Sequence, residues 1–227
     1  MVLFDVCVLF GLAKLSVALV CLVYAALKDL KFREVPNKVW ALFFPVVLCL
    51  SLVEYLFFGF ELLGFFLVMF AVAFLVFCAF YCFGVFGGAD FKCGLCVAAG
   101  FPFAVFPMLV FTWLFVFMYM FFNFFRNLAV NSKGGFFGGG LETEGFLRKV
   151  YVLFIGKKTR VIEVYKKWWV IPVEYCGKFD FKVKSDSRKQ YVVGREGKVW
   201  VSVGLPMVVF FSVALAFTLI IMPYFIL

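Results

Sequence analysis

Apolar runs long enough to cross a lipid bilayer govern what this chain can become. About 20 residues of helix span the roughly 30 Å of hydrocarbon. Such runs are read from about Val6 to Leu27, Val39 to Phe58 and Leu62 to Phe83. A continuous helix from Phe91 to Phe125 would be about 52 Å long, too long for one crossing. Pro102 and Pro107 supply a break, because proline lacks the N–H that a helix interior requires. A short fourth span from Cys93 to Val105 and a fifth from Met108 to Phe125 are therefore expected, with a sixth from Leu205 to Ile226. Of the 227 residues, 66% are apolar and 37 are phenylalanine, against roughly 45–50% apolar in a soluble domain. The N-terminal run lacks a positive n-region, carries Asp5 and is read as a retained helix rather than a cleaved signal.

Between the fifth and sixth spans lies a polar, basic insert. Asn131 to Gly140 is glycine-rich and reads as a hinge. Beyond it, Arg160–Tyr165, Trp168–Ile171, Phe179–Val183, Tyr191–Val193 and Lys198–Val201 are rich in β-branched and aromatic residues. They suggest a small antiparallel sheet. The expected fold is thus a membrane all-α protein of six helices with a mainly β insert. Its parts are a five-helix membrane domain (1–128), the insert (129–203) and a final helix (204–227).

Charge sets the expected orientation. In a six-span layout, every lysine and arginine except Lys14 falls on one side. The loops opposite hold Glu54 and Glu61 and no cation. The positive-inside rule then puts the insert and the loops after the first and third spans in the cytoplasm. Lys14 is expected to snorkel to the opposite interface. The formal charge of +9 is read as orientation and contact with anionic lipid, with Trp168 and Trp169 at the interface. It is not read as nucleic-acid binding.

The chain has no histidine. Ser-His and Cys-His nucleophile pairs are therefore impossible, and so are H-E-x-x-H zinc sites. Of the eight cysteines, Cys93-x-x-Cys96 has metal-ligand spacing, with Cys78 and Cys82 one helical turn apart upstream. These thiols fall in expected helix interiors, where cysteine acts as a small hydrophobe. No metal and no cofactor is expected.

Two aspartates remain. Asp29 ends the first span in Asp29-Leu30-Lys31-Phe32-Arg33-Glu34-Val35-Pro36-Asn37, and Asp90 follows the third in Gly87-Gly88-Ala89-Asp90-Phe91-Lys92. Two spans separate them, so both face the same side. Each also has a plain structural explanation. Asp29 balances nearby cations, and Asp90 suits a helix N-cap. Together they form the minimum for a carboxyl pair that activates water.

The two patterns resemble the prepilin peptidase family of membrane aspartyl proteases, which carries an aspartate followed by aliphatic-Pro-Asn and a second in G-x-G-D with a lysine two positions on. The insert and the lack of an N-terminal cysteine-rich domain look most like the archaeal preflagellin (prearchaellin) peptidases. Ala89 stands where the second motif glycine is expected, so the backbone there must be ordinary. The resemblance implies that Asp29 and Asp90 are catalytic, with Gly87, Gly88, Lys92, Pro36 and Asn37 as supporting motif residues. It implies substrates that are preflagellin or pilin-like precursors with short basic leaders. Glu34, Glu142 and Glu144 are candidate leader contacts. Gly84, Gly87 and Gly88 would let the Asp90 loop close on Asp29. The competing reading is a non-enzymatic polytopic protein, a transporter subunit or assembly scaffold.

Overall fold

A computed structural model describes residues 2–131, 145–166, 170–175, 178–179 and 198–221. The described chain forms two compact units, Met1–Phe115 with Pro206–Leu227, and Val116–Leu205. The first is a helical bundle of α1 (Val2–Phe32), α2 (Asn37–Phe58), α3 (Phe60–Cys82), α4 (Gly88–Gly100), the start of α5 (Val105–Asn131) and α8 (Met207–Ile221). α1 packs on α2 and α8, and α4 packs on α2 and α3. Among the described residues, four helical segments are long and apolar enough to cross a membrane, at Val8–Phe32, Asn37–Phe58, Phe60–Cys82 and Pro102–Val130. This is a multi-pass membrane protein. α4, with 13 residues, and α8, with 15 described residues, are shorter.

The break between α4 and α5 falls at Phe101, where a 3-10 turn of Pro102–Ala104 intervenes. Pro107 sits inside the first turn of α5, where its missing N–H costs nothing. α4 begins five residues before the expected Cys93, so Asp90 lies within its first turn.

α3 and α4 approach closely because Gly94 has no side chain. A Cβ there would come within 2.2 Å of the Phe77 ring, and Phe77 is itself fully buried. Gly94→Ala is expected to destabilise the bundle by about 1–3 kcal/mol through overpacking. Thermal unfolding in detergent should show most of that loss removed in a Phe77→Leu background.

Lys14 does not snorkel outward. It is buried against Glu54 of α2 in an ion pair of 2.5 Å, with the Tyr55 and Phe101 rings 5.8 and 5.7 Å from its Nζ. A carboxylate and two aromatic faces inside the bundle supply what the lipid headgroups were expected to supply.

Among its described residues the second unit mixes helix and strand. It holds α6 (Phe146–Ile155) and α7 (Val161–Lys166) beside a three-stranded antiparallel sheet ordered β1 (Gly156–Arg160), β5 (Lys198–Val203), β2 (Val170–Pro172). A separate pair joins β3 (Glu174–Tyr175) and β4 (Lys178–Phe179). The expected strand at 160–165 is helical from Val161. Val161 and Val164 are both buried against Val170, Val199 and Val201. Residues three apart share a face in a helix and take opposite faces in a strand. Trp200 is fully buried among Val152, Leu153 and Val173. The buried Asn127 amide of α5 donates to the Leu153 and Gly156 carbonyls at 2.8 and 2.7 Å, fixing the corner between α6 and β1. The glycine-rich hinge, Trp168, Trp169 and Tyr191–Val193 lie outside the described residues.

Candidate active site

Both aspartates belong to the first unit. α1 runs to Phe32, past the expected end at Leu27, so Asp29 sits in its last turn and is buried. Arg33 closes that turn in the left-handed region, with φ 54°, and its N–H donates to the Asp29 carbonyl at 3.0 Å. That single bond across a left-handed residue is a recurrent helix stop. Pro36 then caps α2, which starts at Asn37.

Asp90 occupies the third position of α4, not the N-cap position. Its Oδ2 accepts the Gly87 N–H at 2.8 Å, the reach-back half of a capping box. Glycine at 87 makes room for this, since a Cβ there would stand 3.2 Å from the same oxygen. Gly88 and Ala89 have ordinary negative φ, so alanine fits where the motif has glycine; of the three loop glycines only Gly84 is left-handed, at φ 69°.

Burial and the nearby Asp29 charge push the Asp90 carboxyl up to about 6, with the Gly87 N–H opposing. Asp29 in the last turn of α1 and Asp90 in the first turn of α4 belong to the same unit. No hydrogen bond joins the two carboxyls. One Asp29 oxygen, Oδ2, is buried with no partner. The backbone N–H groups of Val208 and Val209, at the start of α8, and the Arg33 side chain approach the Asp29 carboxyl. The final helix thus brings its positive N-terminal end to the site. The sequence signal for this contact is thin: Pro206 ahead of an apolar run marks a helix start, but not what it faces.

The supporting residues also converge. Lys92 Nζ donates to Asn37 Oδ1 at 2.7 Å, tying the second motif to the first. Beneath this bond lies an apolar cavity of about 290 Å³, lined by Trp40, Ala41, Phe44, Leu95 and Cys96 together with the bonded pair. A second opening of about 570 Å³ is lined by Phe32, Glu34, Pro36 and Ala89, with Lys28 and Arg33 also on its wall. Glu34 is exposed there. Glu142 and Glu144 lie outside the described residues.

Fold and site together define a polytopic membrane protein that holds two carboxyls at neighbouring helix ends. Residues 16–124, a segment that contains both aspartates, match the model of the type IV leader peptidase family. That family is one of proteases, and its members act on pilin-like precursors. No curated protein sequence matches it.

Proposed function

We propose that the protein is an aspartyl endopeptidase of the cell membrane that removes short basic leaders from preflagellin or pilin-like precursors. The observation that carries this reading is that the segment matched by the leader peptidase family model contains two aspartates at helix ends of one unit, Asp29 in the last turn of α1 and Asp90 in the first turn of α4. Two neighbouring carboxyls resist ionising together and share one proton over a range of pH. The ionised member takes a proton from water as the oxygen attacks the scissile carbonyl. The protonated member polarises that carbonyl and then protonates the leaving amine. The two act as a unit, with titration steps that belong to the pair.

In the six-span topology suggested by cation distribution, both aspartates and the basic insert face the cytoplasm. The substrate's apolar helix would lie among the spans while its leader stays in water. Glu34 is the described candidate for contact with the leader. Lys28 and Arg33 on the same wall offset its charge, so leader affinity should depend only modestly on it. The unpartnered Asp29 oxygen and the absence of a carboxyl–carboxyl hydrogen bond suit a site that tightens when substrate and water arrive.

The pH dependence follows from the raised Asp90 carboxyl. As pH rises through about 6, the shared proton is lost. The rate constant kcat/KM for leader release should fall along an alkaline limb near that value. A rate flat from pH 5 to pH 8 would count against a shared-proton mechanism.

A further inference from the structure

We propose that the second unit contains a binding pocket for the headgroup of an anionic phospholipid, built between the C-terminal half of α5, the corner joining α6 to β1, and the end of β5. A cavity of about 350 Å³ lies there, within the size range of ligand pockets. Its charged lining residues are Arg126 and Lys157, and no described carboxylate lines it. Neither cation forms an ion pair among the described residues. Tyr119, Tyr151 and Ser202 add hydroxyls to the wall.

Asn123 is the second, independent pointer. It lines the pocket and is only 6% exposed, yet it makes no hydrogen bond among the described residues. Its amide is not among the buried unsatisfied groups of the described residues, so its polar atoms meet the cavity and not packed protein. Its neighbour Asn127 shows the contrast, with both donor bonds spent on holding the corner. Asn123 is left facing a cationic cavity, where a phosphate oxygen would accept its N–H.

Depth favours a lipid as the source of that phosphate. The apolar segment formed by the 3-10 turn and α5 begins at Pro102. At 1.5 Å per residue, Tyr119 lies about 25 Å and Arg126 about 36 Å along it. The pocket therefore straddles the level at which roughly 30 Å of hydrocarbon gives way to headgroups. Its lining combines apolar Met120, Phe154 and Leu205 with the two cations. An amphiphile matches that mixture better than a free anion does. Basic pockets of this kind at the cytoplasmic face hold acidic headgroups.

The test is lipid titration of the full-length, delipidated protein in detergent, read by native mass spectrometry. Phosphatidylglycerol, phosphatidylcholine and inorganic phosphate are the three probes. Each pocket cation should contribute about fivefold to phosphatidylglycerol affinity. Arg126→Gln/Lys157→Gln should therefore bind it about 25-fold more weakly, close to the phosphatidylcholine level. Arg160→Gln, which removes an equal charge from the exposed end of β1, should bind like wild type. Lys157→Gln alone, at an exposed position, should show the fivefold loss even if the double variant fails to fold. Unchanged binding in Lys157→Gln would overturn the site. Thermal protection by inorganic phosphate equal to that by phosphatidylglycerol would overturn the lipid assignment.

Discussion

With Asp90 replaced by asparagine, leader release should fall by about 10²–10⁴-fold, the range lost with a positioned acid–base group, while the protein becomes more stable at neutral pH. The second half of this expectation separates a working carboxyl from a merely structural one. The Asp90 carboxyl is held up at about 6, above its ordinary value of 3.8, by burial and by the Asp29 charge. A raised carboxyl favours the fold only while protonated. Its contribution is fully present below the unfolded value and is lost as pH rises through the folded one, between about 3.8 and 6. At pH 7 the wild type therefore carries an ionised group that folding disfavours. Asparagine removes the charge and keeps an oxygen to accept the Gly87 N–H, so the helix cap survives. Thermal unfolding at pH 7.5 and pH 4 checks this. The variant should melt higher than wild type at the upper pH and lose that advantage at the lower. A variant that melts lower at both would mean that Asp90 serves the fold first.

The second large effect lies far from the site in sequence and chemistry. Lys14→Met should destabilise the bundle by about 3–5 kcal/mol, because it strands the Glu54 charge inside the protein. Glu54→Leu should be comparably harmful, leaving an ammonium between Tyr55 and Phe101. The double variant Lys14→Met/Glu54→Leu should recover most of the loss, since apolar side chains of similar volume often replace a buried pair at little net cost. Melting temperatures of the four proteins in one detergent complete the cycle. Additive losses would show that the two residues do not depend on each other.

The Lys14–Glu54 pair also marks where sequence reasoning stops. A lone lysine in an apolar run reads as an anchor because its partner is 40 positions away. Only the rotation of α1 against α2 brings the two together. The same limit hid the approach of the α8 N-terminus to Asp29 and the bond from Lys92 to Asn37, 55 positions apart. By contrast, the two motifs were legible as helix boundaries because each is short and acts by local rules, the first ending α1 and the second starting α4. Arg33 and Pro36 stop α1 and start α2, and Gly87 leaves space for the Asp90 cap. The first, second, third and fifth apolar runs were legible for a similar reason, since length and composition decide them.

In the second unit local propensity misled. Val161-Ile-Glu-Val-Tyr165 has the composition of a strand. Two buried valines three apart make it a helix turn instead, and that spacing was visible in the sequence. The strand at Gly156–Arg160, G-K-K-T-R, carries little β signal of its own. It pairs with β5 along its whole length, so tertiary pairing sets its state.

The most direct test of the central proposal is leader release in reconstituted membranes from a pilin-like precursor with a basic leader, followed by the mass shift of the product. Wild type, Asp29→Asn, Asp90→Asn and, as a distant carboxyl control, Glu61→Gln would be compared at pH 6, each shown to be folded. The account predicts release by wild type and Glu61→Gln and an intact precursor with either aspartate variant. Release at the wild-type rate by Asp29→Asn or Asp90→Asn would contradict it.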